Sequence, residues 1–251
     1  VSGYHISRLM DGGTSIKELV EIWMQAQGNE TKKQAFYNSD LGLEYESKGA
    51  KLSDFYLDKC IADPKYSMPA IAEESFMGVD VGSVLNVTAS IIENGKRKKV
   101  FIGTVNTFEE IDRLIKLYGV SVCVVDALPE THKAKELRNR FRGRVWLCTF
   151  HAKEGSTKEV TLNRDDYTVS VDRTQIMDES HADIIRQNVL YPENARLIDE
   201  GEFYKQMCAP TRVFDEEQNR YVWREGSKKD HYRLADTYEK IASIISEKNG
   251  V

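Results

Sequence analysis

Two hydrophobic runs in this chain end in an aspartate. They are Phe76-Met77-Gly78-Val79-Asp80-Val81-Gly82-Ser83 and Val122-Cys123-Val124-Val125-Asp126-Ala127. Each reads as a strand with a carboxylate at its carboxyl end. If the strands are parallel neighbours, Asp80 and Asp126 share one rim of the sheet, and ligands of open α/β sheets bind at that rim. Two close carboxylates repel and raise a pKa unless a cation sits between them. Hard divalent ions such as Mg²⁺ fill that role through oxygen ligands. Gly78 and Gly82 flank Asp80, where bulk would obstruct a ligand. A third acid is expected from the segment Lys229-Asp230-His231-Tyr232-Arg233-Leu234-Ala235-Asp236-Thr237-Tyr238 near the C-terminus. As a helix it gathers Leu234, Tyr238, Ile241, Ala242 and Ile245 on one face. Asp230 or His231, at the edges of that face, is the expected inward ligand, and Asp236 points away as a solvated charge. Singly, each Asp is also ordinary punctuation at a strand end, or, for Asp230, a dipole-favoured helix start.

The elements that must position these groups follow from the hydrophobic pattern. Ser75 to Val81, Asn86 to Ile92 and Lys99 to Val105 read as three strands, with Glu93-Asn94-Gly95-Lys96 as a hairpin turn. Thr107 and Glu110 form a capping box before a helix with Phe108, Ile111, Leu114, Ile115 and Tyr118 on one face, and Gly119 ends it. Val122 to Val125 is apolar throughout, as a strand buried on both faces requires. A helix with Ala134, Leu137 and Phe141 follows, then the strand Val145 to Cys148. A further strand over Tyr167 to Val171, a helix over Thr174 to Asn188, a hairpin over Thr211 to Trp223 and a helix over Lys229 to Glu247 complete the order. The expected fold is α/β: a mixed central sheet, with an antiparallel three-strand meander plus parallel strands, flanked by helices. Residues 1–72 are too poor in apolar positions for a core of their own. They read as a connector, with Ser15 capping a helix from Ile16 and Glu18 at the capping-box position, and residues 73–251 read as the main domain.

The 251 residues carry 35 Lys+Arg and 40 Asp+Glu, a formal net charge of -5. This is globular composition, and no apolar run approaches the roughly 20 residues of a membrane span. Cys60, Cys123, Cys148 and Cys208 are scattered, without zinc-knuckle spacing, which suits reduced thiols in a cytoplasm. The opening Val1-Ser2-Gly3 suggests a piece of a longer protein. No Ser-His-Asp or Cys-His grouping is evident, and no Gly-rich Walker loop occurs.

The two strand motifs, Val124-Val125-Asp126-Ala127-Leu128-Pro129-Glu130, and Asp230-His231-Tyr232 with Ala235 and Tyr238 together resemble the ribonuclease H-like fold. More narrowly they resemble the nuclease domain of the large terminase subunit of tailed bacteriophages, from about residue 73 to the end. Residues 1–72 are similar to the segment joining that family's ATPase to its nuclease, through Gly3-Tyr4-His5, Leu19 to Gln27 and Phe36-Tyr37-Asn38 to Gly42. The resemblance implies an endonuclease that cuts concatemeric viral DNA during capsid filling in the cytoplasm of an infected bacterium. It implies Asp80, Asp126 and Asp230 as metal ligands. The order Asp230-His231 departs from the family's consecutive acids or His-Asp, which leaves the third ligand open between them. The implied partners are double-stranded DNA, an ATPase domain absent from this chain, the portal and the small terminase subunit, and no membrane.

Such a cluster suits phosphodiester hydrolysis with two divalent cations, Mg²⁺ or Mn²⁺, about 4 Å apart. One lowers the pKa of a water and the other stabilises the departing 3′ oxygen. Asp80 is the candidate bridge between them, and His231 joins the catalytic set. Lys133, Lys135, Arg138, Arg140, Arg142 and Arg144 follow Asp126 in sequence. Lys96, Arg97, Lys98 and Lys99 occupy the hairpin, and Arg224, Lys228, Lys229 and Arg233 flank Asp230. They could form a phosphate-contacting rim on an acidic protein, with little sequence specificity. Three rivals share parts of the pattern: a Holliday-junction resolvase or transposase core, an actin-like or sugar-kinase-type phosphotransferase fragment, and a non-enzymatic docking module.

Overall fold

A computed structural model of the chain describes residues 7–10, 13–26, 33, 36–43, 51–151, 160–215, 220–226 and 229–249. The chain groups into two compact units, Val1–Lys51 with Arg212–Val222 and Leu52–Thr211 with Trp223–Val251. In the smaller unit, α1 (Ile16–Ala26) begins after Ser15, whose hydroxyl accepts the Lys17 N–H at 3.2 Å. Arg8 ties Asp40 at 2.5 Å to Glu18 at 3.2 Å.

The larger unit is built on eight strands: β1 (Ser75–Val81), β2 (Leu85–Glu93), β3 (Lys96–Val105), β4 (Val120–Asp126), β5 (Val145–His151), β6 (Val160–Asn163), β7 (Thr168–Asp172) and β8 (Val189–Leu190). Their order across the sheet is β6-β7-β5-β4-β1-β2-β3-β8. β1, β2 and β3 form the expected antiparallel meander, while β4 pairs parallel to β1, β5 to β4 and β7 to β5. At the β2–β3 turn Asn94 and Gly95 have φ of 52° and 74°. These are the two positive angles a tight hairpin turn needs to match the strand twist. The hairpin expected near the C-terminus is present as β9 (Thr211–Asp215) and β10 (Arg220–Arg224).

Each face of the sheet is covered by helices, and the strand alternation sorts side chains between them. Met77, Val79, Cys123, Val125 and Leu147 point to one face. There they pack with Phe108, Ile111 and Ile115 of α3 (Phe108–Leu117) and with Ala134 and Leu137 of α4 (Thr131–Arg140). The α3 capping box forms as the sequence predicts: Thr107 Oγ1 accepts the Glu110 N–H, and Glu110 Oε2 accepts the Thr107 N–H. Phe76, Val122, Val124, Trp146 and Cys148 point to the other face and pack with Tyr238, Ile241 and Ile245 of the terminal helix. That face also takes α5 (Arg173–Ile185), whose Ile176 joins the same cluster. A third cluster packs α2 (Asp54–Asp58) and α6 (Glu202–Met207) with Val189, Tyr191 and Tyr232.

The terminal helix, α7 (His231–Asn249), departs from the amphipathic pattern in one respect. Its apolar face meets the sheet as expected, but its polar face is buried too. Asp236 and Glu239 are both 0% exposed. Lys99 Nζ donates to both, at 2.6 and 2.8 Å, and Arg97 donates to Glu239 at 3.0 Å. Ser90 donates to Glu239 at 2.7 Å and Ser180 to Asp236 at 2.5 Å. Asp236 is therefore not a solvated charge. The apolar stripe puts Asp236 opposite to it, but that side meets Lys99 and Arg97 of β3 and Ser180 of α5 rather than water, and Arg233 of the same helix adds to the cluster. This also removes Arg97, Lys99 and Arg233 from any phosphate-contacting rim, because all three are buried.

Gly78 has a different reason from the one its place beside Asp80 suggests. A Cβ there would stand 2.1 Å from the Ala235 carbonyl oxygen and 2.2 Å from the Glu239 nitrogen. The glycine lets the α7 backbone lie directly on β1, and that close approach carries the start of α7 to the Asp80 rim. No ligand is needed to account for it.

Candidate active site

Asp80 and Asp126 follow Val79 and Val125, which are register partners on neighbouring parallel strands. Val79 and Val125 point away from α7, so the next residues on both strands point toward it. The two carboxylates therefore stand side by side at the carboxyl edge of the sheet, under the first turns of α7. Asp80 is 3% exposed. His231 Nδ1 lies 2.8 Å from Asp80 Oδ2. Gly82 lies beside this pair, but a Cβ there would come 3.6 Å from the His231 ring, an ordinary contact, so the glycine is not needed to clear space as its place beside Asp80 suggests. Asp230 immediately precedes α7 and is buried. Its backbone carbonyl accepts the Leu234 N–H at 3.0 Å, and its Oδ2 lies 3.4 Å from an Arg173 guanidinium nitrogen. The four predicted groups, Asp80, Asp126, Asp230 and His231, thus converge from three elements.

The charges are in tension. Burial pushes the Asp126 carboxyl up, and the nearby Asp80 charge adds to that. The Leu128 N–H, at 3.0 Å, and the Tyr238 hydroxyl donate to Asp126 and oppose the rise, and the net value is about 6. Burial raises the Asp230 carboxyl as well, against Arg173, which favours its charged form. The hydrogen bond to Asp80 raises the His231 imidazole, against partial burial. The donor set is carboxylate oxygen with one imidazole, which suits a hard divalent ion. Among the described residues no three His, Cys, Asp or Glu side chains form a ready cation cage. Asp80 is turned to His231, and Asp230 to Arg173. A Mg²⁺ site needs only one or two carboxylates, with water and substrate phosphate completing the shell. The residues therefore fit such an ion, and Asp126, disfavoured as an anion by burial and by its neighbour, is the group a cation would relieve most.

Asp126 titrates near 6 in the folded chain and near 3.8 unfolded. Between those values the folded state holds the extra proton, so stability falls as pH rises through that window. His231 acts in the same direction. Its raised folded value gives stability that is complete below about 6.5 and lost as pH rises through the folded pKa. Urea unfolding in chelator from pH 4 to 8 should show a decline that Asp126→Asn flattens below pH 6. An unchanged profile in Asp126→Asn would reject the assignment of the pKa near 6 to Asp126.

Two groups at this rim were not singled out as functional by sequence reasoning. Tyr238, placed only on the apolar face, bonds Asp126 and stacks on Phe150 with ring centroids 5.3 Å apart. Arg173, the first residue of α5, stands over the Phe150 ring at 6.0 Å. The signal available for Arg173 was its place directly after a strand that ends in Asp172, the capping residue whose side chain accepts the Gln175 N–H.

The predicted cationic rim is only partly assembled. α4 is the crossover between parallel strands, so Thr131 lies at the Asp126 rim and Arg140 about 15 Å back along the helix. Lys133, near the rim, pairs with Glu130 at 2.7 Å, and Lys135 is exposed. Arg138 donates to the Asp166 carbonyl, Arg142 to the Asp165 carbonyl, and Arg140 pairs with Asp112 at 2.7 Å. These three belong to the opposite edge and are not gathered with the acids. Lys229 is exposed beside Asp230, and Lys228 lies outside the described residues.

Residues 1–109 match a family model described as terminase large subunit gpA, endonuclease domain. That stretch includes Asp80 and stops before Asp126. No curated protein matches the chain. Among solved structures, the large terminase nuclease from thermophilic phage G20c with bound magnesium aligns over 74% of this chain and 94% of its own, at 12% identity and TM-score 0.51. The cobalt-bound form aligns over the same shares at 14% identity and TM-score 0.51. At these identities the likeness is one of fold, and it bears out the mixed sheet expected from the sequence.

Proposed function

Starting from a chain that carries a terminase large-subunit endonuclease match and a terminase nuclease fold, we propose that it is a divalent-metal-dependent endodeoxyribonuclease that cuts concatemeric viral DNA during genome packaging. The observation that carries this reading is the pairing of Asp80 with Asp126 on adjacent parallel strands, closed over by Asp230 and His231. Asp80, Asp126 and Asp230 would hold two divalent cations, Mg²⁺ or Mn²⁺. When bound, the ions supply a water acidic enough to ionise near neutral pH and positive charge for the departing 3′ oxygen. Asp80 is central in the cluster, between Asp126 and His231. The Tyr238 hydroxyl fixes the Asp126 carboxylate. His231, held at Nδ1 by Asp80, presents Nε2 as a group that can donate or accept a proton at the rim. Lys229 offers a cation to a neighbouring phosphate. Among the described residues nothing at the rim is arranged to read base edges, so binding rests on the backbone and weakens steeply with salt. In the whole protein the partners are an ATPase domain, the portal and the small subunit, in the cytoplasm of the infected bacterium.

The test is nicking of supercoiled plasmid by the purified chain. Relaxed and linear products should form with Mn²⁺ or Mg²⁺, vanish in EDTA, and fall as salt rises. Absence of cleavage at any metal concentration would overturn the reading. Strong preference for a four-way junction or for specific transposon ends would move the chain to the resolvase or transposase class.

A further inference from the structure

Arg173 is a guanidinium in ion-pair contact with one of the site carboxylates, and it comes from an element the sequence argument did not connect to the site. It opens α5, a helix of 13 residues, directly after β7, at the same carboxyl edge of the sheet that carries Asp80 and Asp126. Its NH2 lies 3.4 Å from Asp230 Oδ2, and its charge also favours the ionised form of Asp126. Its side chain is 37% exposed while its Asp230 partner is 4% exposed. The guanidinium therefore meets the buried acids through one nitrogen and is partly open to solvent, while its Nε is buried without a hydrogen-bond partner. The plane is steadied over the Phe150 ring, which is itself stacked on Tyr238. A planar fork with an unspent donor is what bidentate phosphate recognition uses.

We infer that Arg173 is the residue that grips the scissile phosphate. In the metal-free protein it also serves as the counter-ion of Asp230, a place it yields when divalent cations bind. The inference rests on the nuclease reading above. A single positive charge cannot neutralise Asp80, Asp126 and Asp230 together, so an entering divalent ion is electrostatically preferred beside Asp230. The guanidinium, released on its exposed side, then meets the non-bridging oxygens of the phosphate that the same ions attract. The residue acts twice with opposite signs: it competes with the metal for Asp230, and it holds the substrate's developing charge.

This double role sets the experiment. Arg173→Ala and Arg173→Lys are compared with the parent chain in three measurements: plasmid nicking, Mn²⁺ binding by titration calorimetry without DNA, and thermal unfolding in chelator. The inference expects Arg173→Ala to lose about 100-fold or more in kcat, the scale of removing one preorganised donor to developing charge. It also expects Mn²⁺ to bind Arg173→Ala more tightly than the parent, because a competing cation is gone. Arg173→Lys should recover the parent's Mn²⁺ affinity but only a minor part of kcat, since an ammonium keeps the charge and loses the fork. A merely structural residue would lower melting temperature and weaken metal binding together, and that result overturns the inference. So does unchanged cleavage in both variants. If Arg173→Ala does not fold, the Lys variant decides alone: full kcat rejects the phosphate fork, and reduced kcat at unchanged Mn²⁺ affinity supports it. Failure of the nuclease reading is distinct, because then the parent itself neither cuts nor binds Mn²⁺.

Discussion

Asp80→Asn is expected to abolish metal-dependent cleavage while leaving the fold intact. The carboxylate stands between Asp126 and His231. It is adjacent to Asp126 across the parallel register, 2.8 Å from His231 through Oδ2, and under the start of α7. Asparagine keeps the shape and can still accept from the imidazole. It removes the negative charge that a bridging ion requires and that raises the affinity of His231 for its proton. The expected loss is at least about 1000-fold, since the group would serve both nucleophile generation and leaving-group stabilisation. Asp126→Asn should lose cleavage comparably, through one ion position. Neither change opens a cavity. Asp126→Asn removes a charge that burial and a like-charged neighbour oppose, so its melting temperature should hold or rise in chelator, while Asp80→Asn should keep a cooperative unfolding transition. Residual cutting within tenfold of the parent by purified Asp80→Asn would reject the site. Loss of cutting together with loss of the cooperative unfolding transition would show that the residue is structural.

The legible part of this site was the part governed by strand geometry. A continuous apolar run that ends in Asp is enough to place a carboxylate at a strand end. The order meander, helix, strand is enough to make β1 and β4 parallel neighbours by a crossover. The start of α7 was legible because its apolar residues fix which edge of the helix meets the sheet. Arg173 and Tyr238 were not legible as functional groups for physical reasons. Arg173 reaches the rim only because β7 pairs parallel to β5, a long-range pairing that the pattern of the strand itself does not specify. Tyr238 fits the apolar stripe so well that its hydroxyl carries no separate mark in the pattern. The basic run after Asp126 misled in the opposite direction. Proximity in sequence is not proximity at the rim when a helix carries the chain back to the other edge, and Arg140 is used there to pair with Asp112.

The far side of α7 gives the second large effect, on stability. Periodicity assigns Asp236 to the polar face correctly, but the step from polar to solvated fails when the opposing surface is polar as well. Burial alone would raise the Asp236 carboxyl. Lys99, Arg97 and Arg233 overcome that and hold it well below the usual carboxylate range. Removing it leaves Lys99 and Arg97 in a dry interior with Glu239 as their remaining shared acid, and stranded buried cations cost about 3–5 kcal/mol. Asp236→Ala should therefore lower the melting temperature by on the order of 10 °C for a unit of this size. Asp230→Ala should lower it little, because burial and neighbouring acids already disfavour that charge. A lower nicking rate could come from either variant, from the metal site in Asp230→Ala or from a smaller folded fraction on warming in Asp236→Ala, so the assay alone cannot rank them. Thermal unfolding beside Mn²⁺ titration can: Asp230→Ala keeps its melting temperature and loses metal affinity, whereas Asp236→Ala melts earlier and, where folded, keeps metal affinity. An Asp236→Ala protein as stable as its parent would show that the buried charges of β3 and α7 do not depend on this aspartate, and that the contacts of α7 with the sheet are set by Gly78 and the apolar face alone.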